Sequence, residues 1–166
     1  MILENVKNAI MAVAAILSIN VNNTSISIKN SNYIEEQPIM VLSIPKLNIV
    51  NNVYSFDSKL NDIDKNVQIM IHSDLPNKEK GNVILGGHSG SGIYAYFKDF
   101  DKLEINDDIY LEMNGNKYHY RIVNIYNDSK DGSIVVSHND LVSRITLFTC
   151  RPNDKSNYLV VSGELV

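Results

Sequence analysis

The sequence predicts an all-β domain, either a sandwich or a barrel, and three observations carry that prediction. Short apolar runs of strand length, at residues 39–44, 67–71, 82–87, 145–150 and 158–166, are separated by Gly, Pro, Asn and Asp. Asn114-Gly115 stands between two arms, residues 108–113 and 116–126, and supplies the two positions tolerant of positive φ that a type I′ hairpin turn requires. Helical periodicity is scarce: only residues 93–100, after a glycine loop, and 138–143 read as one or two helical turns. Composition and periodicity do not choose between sandwich and barrel.

The elements follow in order. Pro45 ends the first run, and Leu47, Ile49 and Val50 resume it, interrupted by Asn. In the arm after Asn114-Gly115, Tyr118, Tyr120, Ile122 and Asn124 share one face, and His119, Arg121, Val123 and Ile125 the other. Asp131-Gly132 marks a further turn before a short run at 134–136, and Pro152, Asn153 and Asp154 separate the last two strands. Along the penultimate strand, Arg144, Thr146, Phe148 and Cys150 point one way and Ile145, Leu147 and Thr149 the other.

Composition bounds the function. The chain has 166 residues, 44% of them apolar, which suffices for one domain with a real core and is too short for two ordinary enzyme domains. With 15 basic against 19 acidic residues, a net charge of -4, a strongly basic nucleic-acid binder is excluded as a first reading. The single cysteine, Cys150, makes neither an internal disulfide nor a cysteine-based zinc site. A buried thiol, an intermolecular bridge or a nucleophile remains.

The chain divides into an N-terminal hydrophobic segment (1–21), a linker (22–38) and the β domain (39–166). The uninterrupted apolar run at 9–17 is shorter than the roughly 20 residues a spanning helix wants, so a signal-anchor and a packed amphipathic helix are both open. Asn and Ser dominate the linker. The acidic run Asp99, Asp101, Glu104, Asp107 and Asp108 lacks a calcium-ligand spacing and reads as solvated surface. The Gly-Ser-Gly sequence after His88 has no lysine or helix start behind it, so it is not a phosphate loop. No cofactor or metal is expected.

Two segments carry chemistry. Gly86-Gly87-His88-Ser89-Gly90-Ser91-Gly92 follows a buried strand, and Thr146-Leu147-Phe148-Thr149-Cys150 closes another, with Arg151 directly after. Cys150 thus lies where a strand stops and the backbone opens. An accessible thiolate is a nucleophile, and a histidine serves it as base or as imidazolium partner. Glycines beside His88 let a second backbone or a peptide approach closely. Spacing alone leaves this Cys–His pair unassigned, since any of four histidines can lie near the cysteine. His72, His119 and His138 have no motif around them and read as structural or surface residues, and Tyr94, Tyr96 and Phe97 as aromatic packing.

The combination resembles the sortases, cysteine transpeptidases of Gram-positive cell surfaces. Ile44-Pro45-Lys46-Leu47-Asn48-Ile49 is similar to the family's opening I-P-K-(I/L)-x-I strand. Gly81-Asn82-Val83-Ile84-Leu85-Gly86-Gly87-His88 is similar to the strand bearing its histidine, and Thr146-Leu147-Phe148-Thr149-Cys150 to its T-L-x-T-C signature. Residues 97–108 resemble its F-x-x-L-x-x-(L/V)-x-x-G-D segment. The resemblance implies a closed eight-stranded β-barrel with a few short helices. It implies Cys150 as nucleophile and His88 as proton donor and acceptor. It also implies LPXTG-like sorting-signal proteins as substrates, and an amine of a cell-wall precursor or a pilin lysine as acceptor. The location it implies is the extracytoplasmic face of the cell membrane, with a single N-terminal anchor and no nucleic-acid partner.

One departure stands out. The family places an arginine on the last strand that binds substrate and helps stabilise the oxyanion. Against its R-x-x-V-x-G-E pattern this chain has Tyr158, with Asn157 beside it. Of the three arginines, Arg151 adjoins Cys150, Arg144 lies about 20 Å away along its strand, and Arg121 sits on a hairpin arm. Arg151 and Tyr158 are therefore candidates for the oxyanion or substrate-binding role, with Asn157 as an alternative to Tyr158 and no replacement as the third possibility. The missing arginine also keeps a second function open: a catalytically weak protein of this fold that holds sorting-signal peptides or pilins.

Overall fold

The computed structural model describes residues 36–130, 141–151 and 154–166. The expected N-terminal segment, nearly all of the linker, the short strand at 134–136 and the first half of the helical turn at 138–143 lie outside the described residues. Among the described residues no helix is long and apolar enough to cross a membrane.

Eight strands form one sheet: β1 (Met40–Ile44), β2 (Ile49–Val53), β3 (Gln68–Ile69), β4 (Asn82–Gly86), β5 (Asp108–Met113), β6 (Asn116–Ser129), β7 (Arg144–Arg151) and β8 (Asp154–Leu165). Their order is β2-β1-β5-β6-β8-β7-β4-β3, curled into a nearly closed barrel whose edges are β2 and β3. Neighbours pair antiparallel except β4 and β7, which run parallel.

Local chemistry sets the turns. Pro45 cannot donate to the ladder, so β1 stops there and the chain makes a 3-10 turn over Pro45–Leu47. Asn48 closes that turn in the left-handed region, φ 53°, which asparagine tolerates, and β2 returns with Ile49 opposite Ile44. Asn114 and Gly115 both take positive φ, 52° and 77°, so the hairpin is the expected mirror-type turn.

Residues 93–100 do not form the helix the sequence suggested. Isolated three-residue turns replace it, and the one short 3-10 helix here is Phe100–Lys102. The reason is tertiary. The Phe97 N–H donates back to the His88 carbonyl at 2.9 Å, and the Phe97 ring is buried in a stack on Phe100 with centroids 3.8 Å apart. A continuous helix cannot return to the loop it has just left.

The core has two parts. Inside the barrel lie Leu42, Leu85, Leu111, Tyr120, Ile145, Leu147 and Val161 with their neighbours, each such side chain contributing roughly 1.5–3 kcal/mol by leaving water. A second, smaller cluster of Ile84, Phe148 and Val160, flanked by Met70, Tyr126 and Tyr158, covers the opposite face of β4, β7 and β8. Apolar cover on both faces is what the parallel β4–β7 pair requires, and it explains why β4 is buried along its whole length. Gly86 leaves the space for the Phe148 ring, since a Cβ there would stand 3.0 Å from it.

Candidate active site

Cys150 and His88 belong to the ends of the parallel strand pair. The β4–β7 register ends with Gly86 opposite Phe148, two residues before His88 on one side and Cys150 on the other.

Backbone and hydroxyl contacts hold this alignment beyond the last ladder pair. Gly87 N–H donates to the Phe148 carbonyl at 3.2 Å, and the buried Thr149 hydroxyl donates to the Gly87 carbonyl at 2.7 Å. The Ser89 hydroxyl donates to the Cys150 carbonyl. Gly87 sits so close beneath Phe97 that a Cβ would lie 2.8 Å from the ring. The glycine pair therefore admits two aromatic rings at the strand end and leaves the histidine projecting past them.

Cys150 is exposed and free. The His88 side chain is 41% exposed, and its Nε2 lies 2.8 Å from Asp64 Oδ1. Asp64 belongs to the loop before β3 and is 80% exposed, so the contact orients the ring at modest energy, about 0–1 kcal/mol for such a pair. No sequence motif surrounds Asp64. Its role is visible only because that loop folds over the end of β4.

The three arginines separate sharply. Arg144 opens β7 and binds Glu164 at 2.6 Å, while Arg121 lies 3.5 Å from Asp108. Both face Glu164 in the β8 ladder, at the barrel end opposite Cys150. Arg151 is the arginine at the cysteine end. With Cys150, Ser89, Phe97, Asp154 and Leu159 it lines a cavity of about 300 Å³. Its ladder partner is Asp154, whose carboxyl is held below its ordinary value, first by the Asn157 side-chain hydrogen bond and further by the Arg151 charge.

Tyr158 is the direct ladder partner of Cys150, and its ring packs edge-on against Phe148 with centroids 5.7 Å apart. The position that carries arginine in the resembling pattern is thus adjacent to the cysteine and occupied by a phenol. Asn157 bonds Asp154 at 2.6 Å and serves the turn.

The remaining polar residues have structural work. In the acidic run, Glu104 and Asp107 take Lys46 at 2.5 and 2.9 Å, Asp99 takes Lys102 at 2.8 Å, and Asp108 takes His119 at 2.7 Å. His119 also stacks on Tyr110, and His72 is exposed away from these groups. His138 lies outside the described residues.

Comparison with known proteins places the chain. A family model described as a sortase domain matches residues 42–166. A lid mutant of sortase A from Corynebacterium diphtheriae superposes with a TM-score of 0.71 at 22% identity, over 82% of this chain and 74% of that one. Sortase C1 of GBS pilus island 1 gives 0.70 at 26% identity, over 79% of this chain and 64% of that one. Sortase C-1 from Actinomyces oris gives 0.69 at 23%, over 80% and 76%. The chain therefore spans less than two thirds of the pilus-island protein's length. No individually curated protein matches the sequence.

Proposed function

Because the chain belongs to the sortase family, we propose that it is a cysteine transpeptidase that cleaves an LPXTG-like sorting signal and passes the protein to an amine. The observation that supports this reading is an exposed Cys150 on β7 with His88 two residues past the end of β4, its parallel neighbour.

Cys150 Sγ attacks the threonine carbonyl of the signal. The tetrahedral intermediate collapses, the C–N bond breaks, and the leaving amine takes its proton from His88. A thioester now links the substrate to Cys150. An incoming amine, from a cell-wall precursor or a pilin lysine, gives a proton back to His88 and attacks the thioester carbon. The C–S bond breaks, sulfur leaves as the Cys150 thiolate, and His88 holds the proton again. Two acyl transfers replace one difficult amide exchange. Positioning of the amine lets it outcompete water.

Arg151 and Tyr158 are the proposed partners of the oxyanion or the substrate backbone. Arg151 borders the same cavity as Cys150, and Tyr158 faces it across the ladder. The N-terminal segment serves as the membrane anchor in this reading, with the barrel on the extracytoplasmic side.

The test is a mass shift. Residues 36–166, incubated with sorting-signal peptides and an amine, gain a thioacyl adduct on Cys150 and then release ligated product. Cys150→Ala shows neither. Tight peptide binding without an adduct would replace this reading by the second one, a binding protein with little turnover, which the tyrosine in place of arginine favours.

A further inference from the structure

Three neighbouring strands bring a single row of side chains to the cysteine end of the outer face. Asp128 of β6 is opposite Tyr158 of β8, and Tyr158 is opposite Cys150 of β7. His88 lies two residues past the last pair of the parallel β4–β7 ladder. Lys130 follows Asp128 by two residues, so it returns to the same face, and its N–H donates to the Ser156 carbonyl at 2.9 Å. Its ammonium stands 5.0 Å from the centroid of the Tyr158 ring, within the roughly 6 Å reach of a cation–π contact. Tyr158 is itself braced by Phe148 from below. The ammonium is therefore held above the residue that faces the nucleophile.

Among the described residues, Lys98 and Arg151 also line the cavity beside Cys150. Arg121 and Arg144 are ion-paired at the far end of the barrel, and Arg151 has Asp154 as its ladder partner. We propose that Lys130, carried on the face of Tyr158, supplies the positive charge at the acyl-transfer site that the last strand does not provide as an arginine. The phenyl ring positions the ammonium, and the flexible lysine stem spans the two strand spacings, about 10 Å, that separate β6 from β7. Its target is the substrate carbonyl oxygen, which becomes anionic when Cys150 attacks. Asp128 brings an opposing carboxylate to the same face and moderates the field.

This inference rests on the transpeptidase reading, and its test is independent of turnover. Cys150 is alkylated by iodoacetate, an anion, and by iodoacetamide, its neutral analogue. In each case the sulfur displaces iodide, and intact mass follows the rate. At low ionic strength, Lys130→Met lowers the iodoacetate-to-iodoacetamide rate ratio by roughly two- to fivefold, the effect of one unit charge at such distances near a protein surface. Lys130→Arg keeps the ratio. Molar salt erases the difference. The fall persists in an Arg151→Met background, and Asp128→Asn raises the ratio. With peptide, the acylation rate at saturation drops roughly ten- to a hundredfold in Lys130→Met and recovers in Lys130→Arg.

An unchanged ratio in Lys130→Met overturns the assignment, as does a fall that Lys130→Arg does not reverse. If the ratio depends on Lys130 but wild type forms no thioacyl adduct, the charge assignment stands and the transpeptidase reading fails. If the adduct forms while the ratio ignores Lys130, the transpeptidase reading stands and the charge assignment fails.

Discussion

The two ends of β7 put polar side chains to opposite uses. At its start, Arg144 closes on Glu164 while Arg121 and His119 close on Asp108, so charges are matched to charges and the strands are tied together. At its finish, Cys150, His88 and Arg151 project outward, and the bonds that secure the strand end are made by backbone groups and by the hydroxyls of Thr149 and Ser89. The sheet thus has a closed end where charged side chains pair across strands and an open end where, among the described residues, Cys150 and Arg151 are exposed and His88 keeps a contact only with exposed Asp64.

Substitutions can break or sharpen this contrast. The largest effect is expected at Cys150: replacement by Ala abolishes the adduct in intact-mass analysis and reduces ligation to background, with the melting temperature unchanged. His88→Ala slows adduct formation by about 10²–10⁴, the usual contribution of a positioned acid–base group, measured as a single-turnover rate. If His88→Ala reacts at the wild-type rate, the open end is not acting as a unit.

Gly87→Ala tests the scaffold between the ends. Its methyl would stand 2.8 Å from the Phe97 ring, so unfolding in urea should show a loss of about 1–3 kcal/mol. At the closed end, Arg144→Met removes a charge-assisted bond from a mostly buried guanidinium and should cost about 1–2 kcal/mol. The rate of Cys150 acylation per folded molecule should stay the same, and a large fall would dissolve the division between the two ends.

The smallest effect concerns pH. A hydrogen bond from His119, with added charge from His119 and Arg121, holds the Asp108 carboxyl below its ordinary value. A depressed carboxylate contributes stability above its unfolded value, near about 4, and loses it as pH falls through the lower folded value. Acid titration of Asp108→Asn should therefore show a slightly shallower loss of stability below about pH 4, with the effect kept small by exposure of the pair.

Most strands were legible because they are short, apolar and bounded by turn residues, and the Asn114-Gly115 hairpin because two adjacent positive φ values restrict residue choice. The helix expected at 93–100 was misread because a local apolar pattern carries no information about the bond from Phe97 back to His88. β6 runs on to Ser129, three residues past the apolar pattern, because its end pairs with β8, and that extension brings Lys130 beside Tyr158. Asp64 gave no signal either, since its contact with His88 joins a loop and a strand end 24 residues apart.

The sequence by itself determined the strand period and the chemistry of the lone cysteine at a strand end, which are properties of residue type and local order, and the resemblance added that Tyr158 stands where the family pattern has arginine. Only the tertiary structure decided that the strands leading to His88 and Cys150 pair in parallel, that two arginines are committed to the far end, and that Lys130 lies over Tyr158. Each of those depends on register between strands distant in sequence, which is set by how both faces of the sheet are packed.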